Sequence, residues 1–196
     1  TTFNAGTTNF PSATTLTNGN ILIAYRDGSS SDYGNFVIYD SAGNLVKSET
    51  TFNAGTTATP STTTLTNGNI LIVYTDEGSS EIGNFVIYDS SGNEVVSETT
   101  FNSGVTYNPS TTTLTNGNIL IAYQDGSSSD YGNFVIYDSL GNIVVSETTF
   151  NAGTTNFPST ATLTNGNILI AYGDNSSSNG NFVIYDSLGN LVVSET

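Results

Sequence analysis

The chain has 196 residues, 17 acidic side chains against two basic ones (Arg26 and Lys47), and a formal net charge of −15 at pH 7. Nucleic acid and anionic membranes need Lys and Arg to displace counterions, so both are poor partners for it. It contains neither Cys nor His, which excludes disulfides, thiolate metal sites, the usual zinc ligand and the usual general base.

The chain opens Thr1-Thr2-Phe3-Asn4, a run that returns at Thr51-Phe52-Asn53, Thr100-Phe101-Asn102 and Thr149-Phe150-Asn151. It ends Ser194-Glu195-Thr196, so head and tail would rejoin the pattern with one extra Thr at the seam. A linear solenoid needs polar caps at its ends; an array cut at an arbitrary phase is expected to be a closed ring. Pro11-Ser12 follows a polar loop, matched by Pro60, Pro109 and Pro158. Pro can start a strand but not sit inside a central one, so the first strand is expected over Ser12–Leu16, with small side chains suited to a crowded position.

Asn18-Gly19 then marks a tight hairpin, for which a type I′ turn with positive φ at both residues is expected. Its stretch, Leu16 to Tyr25, recurs from Leu65, Leu114 and Leu163, a period of 49 residues. The second strand, Asn20 to Tyr25, and the third, Asn35 to Tyr39, are apolar on both faces and are expected to be buried on both. A polar loop, Asp27 to Asp32, joins them. The turn Asp40-Ser41-Ala42-Gly43-Asn44 leads to a more polar fourth strand, Leu45 to Thr50, which reads as an outer edge.

Four such strands with two apolar faces cannot bury themselves, but neighbouring copies can bury each other. The expected fold is an all-β propeller of four blades, each a four-stranded antiparallel meander, in one domain over 1–196 with repeats near 1–49, 50–98, 99–147 and 148–196. Half of an eight-bladed ring built by a homodimer is the alternative, with the monomer favoured.

Pro-Ser before a small-residue strand, then Leu-x-Asn-Gly-Asn-Ile-Leu-Ile and Tyr-Asp-Ser-x-Gly-Asn, resembles propeller repeats of large secreted bacterial surface proteins. The first two strands also resemble sialidase-type blades. That resemblance implies a propeller in a secreted or cell-surface protein. The Trp-Asp signature, the Kelch double glycine and the Ser-x-Asp-x-Gly-x-Thr-Trp box are all missing.

Differences between the four copies gather in the loop before Pro and in the loop between strands two and three. These open on one face, the candidate binding surface; relaxed drift in long loops explains the variation equally well. Phe10, Tyr33, Tyr107, Tyr131 and Phe157 there could offer aromatic platforms to a sugar. The second loop also holds eight of the 17 acidic residues. Of these, Asp27, Asp32, Asp76, Glu81, Asp125, Asp130 and Asp174 are candidate Ca²⁺ ligands, since oxygen-only donors suit that ion. A solvated polar loop is the better reading, and no cofactor beyond calcium is implied.

Catalysis finds little support in the sequence alone. Arg26 is the only Arg, where a sialidase-like site needs a cluster, and near-equal blades lack the asymmetry that acid and base roles require. The expectation is therefore a protein that is not an enzyme: a structural or adhesive module of a secreted or surface protein, partnered by a glycan or another surface protein. A lectin-like ring is the rival and a glycosidase the distant third. No apolar run approaches the ~20 residues of a membrane span, and no leader is recognisable in this stretch.

Overall fold

Leu22, Ala24, Phe36 and Ile38 alternate with Ile21, Ile23, Val37 and Tyr39 along the central strands, so each sheet needs cover on two sides. The computed structural model describes residues 1–195. The first sheet holds β1 (Thr8–Thr15), β2 (Ile21–Asp27), β3 (Tyr33–Tyr39) and β4 (Leu45–Asn53). The second holds β5 (Thr57–Thr64), β6 (Ile70–Asp76), β7 (Ile82–Tyr88) and β8 (Glu94–Asn102). The third holds β9 (Thr106–Thr113), β10 (Ile119–Asp125), β11 (Tyr131–Tyr137) and β12 (Ile143–Asn151). The fourth holds β13 (Thr155–Thr162), β14 (Ile168–Asp174), β15 (Asn179–Tyr185) and β16 (Leu191–Val193). Every sheet is an antiparallel meander in sequence order, and the fold class is the expected all-β propeller of four four-stranded blades.

The chain divides into two compact units, Thr1–Thr64 with Gly68–Ser103, and Leu65–Asn67 with the chain from Gly104 on. In the first unit, Leu22, Ala24, Phe36 and Ile38 share a core with Ile70, Ile72, Tyr74, Val86 and Tyr88 of the second sheet. The Phe36 and Tyr88 rings meet at 4.7 Å, and Phe52 meets Tyr74 at 5.1 Å. The second unit repeats this: Leu120, Ala122, Phe134 and Ile136 share a core with Ile168, Ile170, Tyr172, Val183 and Tyr185, with Phe134 and Tyr185 at 4.7 Å. Burial of each such large side chain stabilises by about 1.5–3 kcal/mol. Where inner strands meet, small hydroxyl side chains allow close approach and pair across the sheets: Ser12 with Thr62 at 3.0 Å, Thr14 with Thr64 at 3.2 Å, Ser110 with Thr160 at 3.0 Å, Thr112 with Thr162 at 3.2 Å.

Three local expectations change. The Asn-Gly hairpins are not type I′ turns. Gly19 has φ +83°, whereas Asn18 is absent from the positive-φ residues. The Gly19 N–H donates to the Leu16 carbonyl at 2.9 Å and the Leu16 N–H to the Asn20 carbonyl at 2.8 Å. That is a three-residue loop whose last residue, a left-handed Gly, forms the bulge. The Asp40–Asn44 turn has the same bonds, with Gly43 at φ +82°.

Pro11 does not start the first strand. It sits inside β1, at a register shift between Asn9 and Ser12. The same shift recurs in β5, β9 and β13, where a bulge excuses the missing N–H. Finally, β4 runs on to Asn53 instead of stopping at Thr50, because Phe52 is 7% exposed and belongs to the core it shares with Tyr74.

A Cβ on Gly19 would meet nothing within 4 Å, so a substitution there tests backbone strain alone. Gly19→Val should lower unfolding stability by more than about 1 kcal/mol and Gly19→Asn by less, read from urea titrations. Equal, negligible losses for both would contradict the turn geometry.

Candidate functional site

The bulge in each first strand forces a side-chain-bearing residue to positive φ: Phe10 at 50°, Thr59 at 43°, Asn108 at 49° and Phe157 at 47°. Such values are outliers for bulky residues, and bulges of this kind re-aim a side chain near a sheet rim. Phe10 and Phe157 are accordingly 47% and 74% exposed, and Tyr107, one residue before its bulge, is 38% exposed. Tyr33 and Tyr131 begin β3 and β11, opposite Asp27 and Asp125, and are half-buried.

One position of the second strand differs in every sheet. Next to the last residue of the second strand stand Arg26, Thr75, Gln124 and Gly173. Arg26 pairs with Asn9 across the ladder, beside the Phe10 bulge. Its guanidinium carbon lies 5.5 Å from the centre of the Phe10 ring. Its Nε stands 2.9 Å from Asp32 Oδ1, an ion-pair contact in which the N–H does not point at the oxygen. Its Nη1 donates to Glu77 Oε2 at 3.3 Å. Asp32 is held at φ 62° where the loop re-enters β3, and Glu77 opens the 3-10 turn Glu77–Ser79. One guanidinium therefore joins two carboxylates from different sheets under an exposed aromatic ring. In the second unit only an echo remains: Gln124 Nε2 donates to Asp130 Oδ1 at 3.0 Å.

The proposed calcium ligands divide in two. Asp27, Asp76, Asp125 and Asp174 end the second strands, are 4–7% exposed, and cap the loops that follow. Their Oδ1 atoms accept N–H bonds from Ser29 at 2.9 Å, Gly78 at 3.0 Å, Ser127 at 3.0 Å and Ser176 at 2.8 Å. Burial pushes the Asp27 carboxyl up, but bonds from Ser29, Ser30 and Asn4 outweigh it and hold the group below the ordinary carboxylate range. At Asp174 the Ser177 hydroxyl leads, and with Ser176 it overcomes burial in the same direction. Asp32, Glu81 and Asp130 sit at the left-handed loop ends. Among the described residues, no group of three or more acidic side chains is gathered as a metal would need.

Buried polar side chains line the strands below these loops. Tyr25 and Tyr74 donate to Glu49 and Glu98 at 2.5 Å, and Tyr123 donates to Glu147. Burial, then the bond to Glu98, pushes the Tyr74 hydroxyl up; Tyr88, by burial and the nearby Glu94, is pushed up to about 12. A hollow of about 360 Å³ lies elsewhere, on the flank of the first sheet, among Phe3, Ile21, Ile23, Tyr39 and the turn Asp40–Gly43.

Sequence reasoning put Phe10 and Asp32 on the loop face but treated Arg26 only as a lone arginine. Glu77 was missed as its partner. Arg26 and Glu77 are joined by the stacking of two sheets, and nothing local in the sequence signals that.

No family model matches the chain, and no curated protein matches it. Solved structures do. An exo-β-1,3-galactanase from Phanerochaete chrysosporium aligns with TM-score 0.64 at 9% identity, over 96% of this chain and 49% of that one. An ulvan lyase of a new polysaccharide lyase family gives TM-score 0.62 at 11% identity, over 97% and 58%. An α-L-arabinofuranosidase from Clostridium thermocellum gives 0.56 at 14%, over 99% and 74%. The chain thus spans about half to three quarters of the length of these proteins, and at such identities the likeness is one of fold. It corrects the expectation of a non-catalytic module that is not an enzyme, because these solved neighbours are a galactanase, a polysaccharide lyase and an arabinofuranosidase. The appeal to near-equal blades fails as well, since Arg26 supplies a local asymmetry that the repeat does not.

Two pH responses follow from the buried groups. A carboxyl with a lowered folded-state pKa adds stability that is full above its unfolded value of about 3.9 and fades as pH falls through the folded one. Melting temperature should therefore drop below about pH 4, and Asp27→Asn should soften that drop while lowering stability at pH 7. A raised tyrosine acts in the opposite sense: its contribution is full below about pH 10 and fades as pH climbs toward the folded value. Tyrosinate absorbance should thus show a late phase that coincides with loss of β-sheet circular dichroism. A single phase near pH 10 with the fold intact would contradict the buried Tyr–Glu pairs.

Proposed function

We propose that this chain is a carbohydrate-active enzyme that cleaves glycosidic bonds, with its active site at Arg26, Asp32, Glu77 and Phe10. The observation that carries the reading is that guanidinium: it draws Asp32 and Glu77 together at a position where the other copies have Thr75, Gln124 and Gly173. Glycoside hydrolysis needs two carboxyl groups on either side of the scissile bond, one giving a proton to the leaving oxygen and the other acting as base or nucleophile. Asp32 and Glu77 supply the pair. Arg26 positions both, and the exposed Phe10 ring offers an apolar platform for a sugar face. The galactanase, arabinofuranosidase and lyase of the same fold support a glycan as substrate. The Lys-poor, Ser- and Thr-rich composition supports action outside the cell, on a polysaccharide that reaches the loop face.

The test is reducing-sugar release from a panel of galactans, arabinans and uronic-acid polysaccharides, with unsaturated-product absorbance monitored to separate lyase from hydrolase. Asp32→Asn and Glu77→Gln should each cut kcat by about 10²–10⁴ while circular dichroism stays unchanged. Arg26→Gln should lower activity and shift its pH profile. Glycan binding without cleavage by the parent chain, or activity untouched in both carboxylate variants, would overturn the assignment.

A further inference from the structure

Two sheet faces find no cover in the cores of their own units, and they are of opposite kinds. Within each unit, the face of one sheet bearing Leu22, Ala24, Phe36 and Ile38, or the equivalent residues of the third sheet, packs on the face of the next bearing Ile70, Ile72 and Tyr88, or their equivalents. The fourth sheet carries the first kind of face without cover. Phe182 is 38% exposed where Phe36 and Phe134 are at 0%, and Leu169, Ala171 and Ile184 are only half-buried. The first sheet carries the second kind without cover. Ile21, Ile23 and Tyr39 are half-buried where Ile70, Ile72, Ile168 and Ile170 are at 0%. They line the 360 Å³ hollow.

The two faces share a further mark. Inside the units, inner strands are joined by Ser–Thr and Thr–Thr hydroxyl pairs. At the residue equivalent to Thr62 and Thr160 the first sheet has Ala13, and at the residue equivalent to Thr14 and Thr112 the fourth has Ala161. Both alanines lie on the uncovered faces and both are exposed, as are Thr15 and Ser159 beside them. If the faces meet in the register of the other interfaces, Ser159 falls on Ala13 and Ala161 on Thr15. Each pair then holds one hydroxyl where the internal pairs hold two. The turn glycines agree. A Cβ on Gly92 would meet Lys47 at 3.2 Å and one on Gly189 would meet Val145 at 3.0 Å, each from the preceding sheet. Gly43 meets only Thr1, at 3.6 Å, and the residue in register with Lys47 and Val145 is Val193.

We infer that the partner of these faces is a second copy of this chain, docked head to tail, with the fourth sheet of one copy on the first sheet of the other. The occupant follows from continuity with an interface the molecule already builds: apart from the two alanines, each face finds its complement on the opposite end of the same sequence. The contact is heterologous, and a closed pair of copies carries it twice, as two identical seams. Loss of the hydroxyl pairs makes these seams weaker than the internal ones, which suits reversible association.

Light scattering across a micromolar concentration series tests this. The expected mass is near twice the 20.5 kDa of the chain. Phe182→Glu should return the mass to that of one chain with circular dichroism unchanged, while Leu188→Glu, at a turn 68% exposed, should leave the dimer intact. Restoring the hydroxyl pairs with Ala13→Thr and Ala161→Thr together should tighten association about tenfold or more. A parent chain and an Ala13→Thr/Ala161→Thr variant that both stay at the mass of one chain at every concentration would overturn the inference, as would a dimer that Phe182→Glu leaves intact.

Discussion

A four-stranded sheet whose central strands are apolar on both faces cannot satisfy itself, and the rest of this structure follows from that constraint. Phe36 and Tyr88, or Phe134 and Tyr185, are buried only because one sheet lies on the next. No helix is available to cover a face among the described residues; two single 3-10 turns are the only helical pieces. Cover must come from other copies of the sheet. The fixed 49-residue period is the sequence expression of that demand, since every copy must offer the same two faces at the same register. Small side chains at Ser12, Thr14, Ser110 and Thr112 follow in turn, because inner strands approach closely enough for their hydroxyls to pair.

The turns and loops divide the remaining work. The short hairpins are pinned by local chemistry: Asp40 accepts the N–H groups of Ala42 and Asn44 and the Asn44 amide, and Gly43 takes the left-handed position. Little in such a turn can vary. The loops between second and third strands are pinned by a capping Asp such as Asp27, by left-handed residues such as Asp32, and by bonds to the loop before Pro such as Thr7 N–H to Ser29 Oγ. Their neighbouring positions are free to differ, which is why Arg26, Thr75, Gln124 and Gly173 can occupy one structural place. The scaffold thus holds still while one strand end beside the loops carries a cation.

How much of this was legible in the sequence depended on how local the cause was. Four meanders, their strand order and their doubly apolar centres follow from alternation and period, and they were read correctly. The hairpin type was misread because Asn-Gly fits both a type I′ turn and a three-residue loop ending in a left-handed Gly, and the hydrogen bonds of Leu16 decide between them. Pro11 was placed at a strand start because a bulge that tolerates it leaves no mark beyond the Pro itself. The extension of β4 through Phe52 was hidden because its cause, the Tyr74 ring, lies in the next sheet. The site fared likewise. Phe10 and Asp32 are legible as loop residues, but the ion pairs of Arg26 with Asp32 and Glu77 are tertiary and leave no local mark.

In a chain that repeats itself four times, what repeats specifies the fold and what departs specifies everything else. Asn-Gly-Asn, Asp-Ser-x-Gly-Asn and the apolar strands are constant because each copy solves the same burial and turn problem. Arg26 departs from Thr75, Gln124 and Gly173 with no gain to the sheet it stands in: a half-buried guanidinium needs carboxylate partners that the scaffold itself does not require. Ala13 and Ala161 depart from Thr in the opposite sense, giving up a hydroxyl on two faces that no sheet of their own units covers. Drift alone would scatter such changes over all inner-strand positions. Their confinement to the two faces that lack cover within their own units ties them to those faces.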